Sequence, residues 1–139
     1  FKMSVGVLII AHNDIGLSLV NTASQMIKEN PLKIKVLAVD LESTTDELHK
    51  NALSLIESID NGDGVLILTD LFGSTPSNVA YKLFEKENIS IVSGVNLSML
   101  IRIVNYSHLN LKEMAKKAYS GGIDGININD MPKDSLGEK

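Results

Sequence analysis

The sequence predicts an α/β protein: a doubly wound parallel sheet of order 2-1-3-4 with helices on both faces. Three observations lead there. Four short apolar, β-branched runs, Val5-Ala11, Ile34-Asp40, Val65-Thr69 and Ile89-Ser93, are each bounded by turn residues. The segments between them carry helical spacing, the alternation of βαβ units. The side chains with chemical potential gather just after the apolar runs, where open parallel sheets place their ligand crevice.

The elements follow in order. After the first strand, Ile15, Leu19, Ala23, Met26 and Ile27 share one side of a helix that Asn30-Pro31 should stop. Ser43-Thr44-Thr45-Asp46 is a capping run for a second helix with Leu48, Ala52, Leu55, Ile56 and Ile59 inward, ended by Asn61-Gly62-Asp63-Gly64. The third helix should bury Val79, Ala80, Leu83 and Phe84. The fourth should bury Leu97, Leu100, Ile101 and Val104, and the fifth Leu111, Met114, Ala115 and Ala118. Gly-Ile-Asp-Gly-Ile-Asn-Ile, with Ile123, Ile126 and Ile128, reads as a short fifth strand. A polar tail follows over 131–139, so one domain spans residues 3–130. Phe1-Lys2 read as an expression scar before a natural start at Met3, and no signal-peptide pattern begins there.

Composition narrows the function. With 139 residues the chain has room for one self-sufficient core. The absence of cysteine excludes disulfide scaffolds and thiol catalysis and permits a reducing cytoplasm. A net charge of −4, a single arginine (Arg102) and six Phe and Tyr in all provide neither a basic groove nor a stacking platform, so no nucleic-acid partner is expected. No apolar stretch approaches the ~18 residues of a membrane span, so no direct membrane insertion is expected.

With strands in the order 2-1-3-4, the first and third are neighbours, and His12 and Asp70 face each other from their carboxyl ends. A carboxylate bonded to one imidazole nitrogen fixes the tautomer and leaves the other nitrogen's lone pair free to attack. Each residue has a simpler explanation taken alone, as a strand-end polar group or a turn residue; their pairing across the crevice gives them weight. The following Gly73-Ser74-Thr75-Pro76-Ser77-Asn78 looks like a phosphate cradle: Gly73 allows a tight turn, Thr75 caps a helix whose first position is Pro76, and Ser74 and Thr75 offer hydroxyls beside free amides. A plain capped helix start explains the same residues. Together, nucleophile, orienting acid and anion site suit phosphoryl transfer through imidazole.

Other motifs do not form. The glycine-serine-threonine turn lacks a Walker lysine, and no G-x-G-x-x-G follows the first strand. His49 and His108 read as exposed bystanders, three dispersed histidines make no metal spacing, and Arg102 reads as a surface salt-bridge partner. Asp14 and Asp40 are explained by capping and strand-end roles. Neither a metal nor another cofactor is expected.

Three blocks carry a resemblance: Val7-Leu-Ile-Ile-Ala-His12, Val65-Leu-Ile-Leu-Thr-Asp70-Leu-Phe-Gly-Ser-Thr-Pro76-Ser-Asn78, and Ser93-Gly-Val-Asn96-Leu-Ser-Met-Leu100. From about Ser4 to Ile128 the chain resembles the IIA component of the mannose/fructose/sorbose family of the bacterial sugar phosphotransferase system. The resemblance implies a cytoplasmic phosphotransferase. His12 would accept the phosphoryl group from phospho-HPr, the phosphorylated histidine phosphocarrier protein, and pass it to a IIB component. It also implies that Asp70 bonds the active histidine, that Gly73, Ser74 and Thr75 surround the phosphoryl group, and that Phe72 and Asn96 flank the site. Thr75 takes a position often held by serine, and Ser74 one often held by glycine. Family members are homodimers that can exchange a carboxy-terminal strand, here Ile123 to Ile128.

Rival readings are a receiver-type domain phosphorylated on Asp70, the phosphotransferase subunit of a dihydroxyacetone kinase, and a non-catalytic dimeric binding module. The receiver lacks its lysine and its paired acids after the first strand. Phe72, Pro76 and Gly94-Val95-Asn96 favour the sugar IIA over the kinase subunit.

Overall fold

The computed structural model describes residues 4–86 and 88–130. The expected start at Met3 and the tail over 131–139 lie outside the described residues. Among them, strands β1 (Gly6–His12), β2 (Ile34–Val39), β3 (Val65–Thr69) and β4 (Ile89–Ser93) alternate with helices α1 (Ile15–Met26), α2 (Thr45–Ile59), α3 (Thr75–Lys82), α4 (Leu97–Asn105) and α5 (Leu111–Asp124). All strand pairings are parallel and the order is β2-β1-β3-β4, as the sequence predicts.

Strand alternation divides the core into two layers. Val7 and Ile9 of β1, with Leu66 and Leu68 of β3, face α1, α4 and α5; Leu8 and Ile10, with Val65 and Ile67, face α2 and α3. Both faces of the central strands are therefore covered, which is why β1 and β3 read as unbroken apolar runs rather than alternating ones. At the head of α2, the Thr44 hydroxyl accepts the Glu47 backbone N–H at 3.2 Å, the expected cap.

Several expectations about helix faces and ends change. The first helix ends at Met26, so Ile27 lies just past it in extended backbone, and Ile15 and Met26 are exposed. Pro31 lies inside a separate turn beyond the helix, in which the Asn30 side chain accepts the Leu32 N–H. Phe84, expected inward, is half exposed: after Lys82 the chain tightens into a 3-10 turn, Leu83–Glu85, which keeps Leu83 buried and turns Phe84 off the core face. In α4 the fully buried positions are Met99, Leu100, Ile103 and Val104, while Leu97 and Ile101 are only partly covered.

The reason is α5, which lies against α4 and continues through Gly121 and Gly122. A Cβ at Gly122 would stand 2.9 Å from the Met99 side chain, so the glycines permit close helix packing rather than starting a strand turn. Ile123 accordingly belongs to the last turn of α5, and the single chain forms no fifth strand among its described residues. Ile126 and Ile128 are left 73% and 85% exposed.

Candidate active site

Three tight turns build the site at the carboxyl ends of the strands. Asn13 follows β1 at φ 49°, Gly73 follows β3 at φ 87° and Gly94 follows β4 at φ 85°. Asparagine and glycine are the residues that tolerate this left-handed region. The Asn13 N–H donates to the Val39 carbonyl at 2.8 Å, so the chain leaves β1 on a fixed path directly after His12.

His12 and Asp70 meet as the strand order requires. His12 Nδ1 lies 2.8 Å from Asp70 Oδ2, and the same oxygen accepts the His12 backbone N–H at 2.9 Å. Asp70 Oδ1 accepts the Leu71 N–H at 3.0 Å. Burial works to raise the Asp70 pKa, but the hydrogen bonds from the His12 backbone and ring, with the attraction of a protonated ring, outweigh it and hold the carboxyl below its usual value. Asp70 is 11% exposed and His12 is 38% exposed, so the acid is sheltered while the ring opens to solvent. With Nδ1 committed to the carboxylate, Nε2 is the nitrogen free for chemistry.

The turn after Asp70 departs from expectation at its cap. Ser74, with φ −87° and ψ 178°, holds the N-cap position of α3, so Thr75 is the first helical residue and Pro76 the second. The cause is local: the Ser74 N–H and hydroxyl both donate to the Leu71 carbonyl, at 3.2 and 2.6 Å, closing the loop one residue earlier. That bond commits the Ser74 hydroxyl to the loop, whereas Gly73 and Thr75 are exposed beside the helix start.

Phe72 is 69% exposed and meets Tyr81 edge to face at 6.0 Å, continuing a surface that Leu71 shares. Asn96 is used structurally at both ends. Its Oδ1 accepts the Met99 N–H at 2.8 Å, capping α4, and its Nδ2 donates to the Gly122 carbonyl of α5 at 3.0 Å. Arg102 forms the surface pair expected of it, 2.8 Å from Asp124, and His108 is exposed. His49 departs from its expected exposure: it is partly covered, and its Nδ1 is buried without a partner.

Three features escaped the sequence reading. Asn13 is the left-handed turn, for which an asparagine directly after a strand is a usable signal. Thr69, buried at the end of β3, donates to Ser93 Oγ at 2.9 Å; a lone threonine in an apolar strand hints at such a bond. Ser77 is buried in the first turn of α3 with its hydroxyl unpartnered, and nothing in the sequence distinguishes it from an exposed helix serine.

An α/β domain with a solvent-facing histidine held by a carboxylate at its strand ends is the class that fold and site define. The family model described as the PTS system fructose IIA component, of mannose type, matches residues 6–119, and the chain belongs to that family of phosphotransferase-system components. Over 115 residues it is 34% identical to the transcriptional regulatory protein LevR of Bacillus subtilis, covering 77% of this chain and 12% of the regulator. It is 28% identical to the fructose-specific EIIA component of the same organism, over 79% of this chain and 76% of that protein. Among solved structures, the mannose/sorbose-specific IIA subunit from Enterococcus faecalis superposes with a TM-score of 0.82 at 21% identity, covering 94% of this chain and 98% of the other. The chain thus spans about an eighth of the regulator and three quarters of the fructose component. No helix among the described residues is long and apolar enough to cross a membrane.

Proposed function

We propose that this domain is a cytoplasmic phosphocarrier of sugar uptake, taking a phosphoryl group from phospho-HPr onto His12 and passing it to a IIB component. The observation that carries the reading is the 2.8 Å bond from His12 Nδ1 to Asp70, on a ring that is partly exposed to solvent. In the forward step, the Nε2 lone pair attacks phosphorus while the bond from phosphorus to the donor's imidazole nitrogen breaks, and the donor keeps that electron pair. Nδ1 retains its proton toward Asp70, whose negative charge offsets the positive charge developing on the ring. The return step is the same exchange with the acceptor's nucleophile. Gly73 and Thr75, with the free N–H groups at the start of α3, would hold the phosphoryl oxygens, while Ser74 would shape the loop. Phe72 would belong to the rim on which partners dock.

A homodimer fits the surface. β4 is an edge strand with half-buried residues throughout, and the exposed Ile126 and Ile128 lie on a segment free to pair with a second copy. A receiver-type reading is disfavoured, because the Asp70 carboxylate is engaged by both the backbone and the ring of His12.

The test is incubation with phosphoenolpyruvate, enzyme I and HPr, followed by the acid and base stability of the protein-bound phosphate. Acid-labile, alkali-stable label on His12 supports the reading, and an unlabelled native chain would overturn it in favour of a binding module. The 34% identity to a transcriptional regulator favours one second reading, in which the same histidine receives the phosphoryl group as a regulatory mark. Onward transfer to a IIB component separates the two.

A further inference from the structure

Ser77 presents an unexplained cost. It is 1% exposed, and its hydroxyl has no hydrogen-bond partner. The other fully buried polar side chain among the described residues, Thr69, is satisfied by Ser93. A buried hydroxyl without a partner destabilises a fold, and alanine in its place would remove the penalty while improving helix propensity.

Topology places the helix turn that carries this hydroxyl beside the candidate site. α3 connects parallel neighbours β3 and β4, so it runs back along the sheet with its first turn over the strand carboxyl ends. Its residues Val79, Ala80 and Leu83 pack on the face formed by Leu8 and Ile10 of β1 and Val65 and Ile67 of β3. Two-residue alternation carries those rows on to His12 and Thr69. Ser77 is the third residue of α3, on the same buried side as Pro76, Val79 and Ala80.

A serine in a helix ordinarily finds its partner in the carbonyl four residues earlier, which here belongs to Gly73. Gly73 has open space around it, with nothing within 4 Å of a Cβ built there, so the turn has room to move. A phosphoryl group on His12 Nε2 would draw the unpaired N–H groups of Thr75 and Ser77 toward its oxygens.

We infer that Ser77 is a positioning residue for phosphoryl transfer: its hydroxyl gains the Gly73 carbonyl as partner when the first turn of α3 closes on the phosphoryl group. The inference rests on the proposed phosphocarrier function. The unmade bond in the unmodified protein becomes a bias toward the phosphorylated one. The Ser77 hydroxyl acts through the loop and does not itself touch the reacting atoms.

The experiment equilibrates native protein, Ser77→Ala and Ser77→Thr with phosphoenolpyruvate, enzyme I and HPr. It reads the phosphorylated fraction against the HPr phosphorylation ratio and the melting midpoints of both forms. Ser77→Ala should lower the transfer equilibrium constant about tenfold, the ratio that one ordinary hydrogen bond gives. Its unmodified form should melt no lower than native, and Ser77→Thr should restore part of the equilibrium. An unchanged equilibrium constant in Ser77→Ala, or an equal shift of both melting midpoints, would overturn the inference while leaving the phosphocarrier reading intact. Absence of label on the native chain would overturn both.

Discussion

A single carboxylate oxygen of Asp70 accepts two hydrogen bonds from His12, one from the backbone N–H at 2.9 Å and one from Nδ1 at 2.8 Å. The backbone bond ties the end of β1 to the loop after β3, and the ring bond sets which nitrogen is left free. Position and tautomer of the imidazole are thus controlled by one atom.

Substitution at this pair separates the proposed nucleophile, His12, from its proposed orienting group, Asp70. His12→Ala should abolish labelling from phosphoenolpyruvate, enzyme I and HPr. Asp70→Asn should retain a labelled histidine but slow labelling by about 10²-fold, the scale expected when a positioned acid–base partner is lost. Rapid-quench labelling rates check both, and normal labelling of the His12 variant would refute the site.

The depressed Asp70 pKa implies a pH dependence of stability. The folded carboxyl binds its proton more weakly than the unfolded one, so its stabilising contribution is fully present above the ordinary carboxylate range. It is lost as pH falls through the folded-state value, which lies below that range. Melting midpoints measured downward from neutral pH should therefore fall less steeply on the acid side in Asp70→Asn than in the native protein. Identical acid limbs would show that the pair does not contribute to folding.

Asn96 offers a test of structure against chemistry. Asn96→Ala removes the α4 cap and leaves the partly buried Gly122 carbonyl without its donor. A loss of about 2 kcal/mol in chemical denaturation is expected. The folded protein should label on His12 at the native rate. A labelling defect with unchanged stability would instead place Asn96 in the reaction.

Gly73→Ala isolates the backbone of the proposed phosphate cradle. A Cβ there meets nothing within 4 Å, so its penalty comes only from the φ of 87°. Destabilisation of about 1–2 kcal/mol is expected. Labelling should slow more than in a variant of equal stability elsewhere, because relaxation of the turn moves Thr75. Equal slowing in the two would remove Gly73 from the cradle.

Much of this was legible in one dimension because the physics behind it is local. Val65-Thr69 and Val5-Ala11 announce themselves as doubly covered strands by apolar runs bounded by turns. Thr44 and the Asn61-Gly64 turn mark helix boundaries through short-range backbone chemistry. The pairing of His12 with Asp70 followed once the strand order was assumed, since β1 and β3 are then neighbours and both residues stand at carboxyl ends. Ile123 lies in the helix rather than in a strand for a non-local reason: helix propensity weakened by Gly121 and Gly122 is restored by the close approach to Arg102 and Met99 of α4 that those glycines respectively allow.

The sequence by itself determined the layer architecture, the two residues that meet at the crevice and the kind of turn that follows Asp70, because periodicity and turn chemistry are written in neighbouring residues. Tertiary structure alone decided that one Asp70 oxygen holds both the backbone and the ring of His12, that Ser74 rather than Thr75 ends the loop, that Asn96 locks α4 to α5, and that Ser77 is buried without a partner. Each depends on the distance between atoms brought together by packing, and no pattern along the chain encodes such a distance.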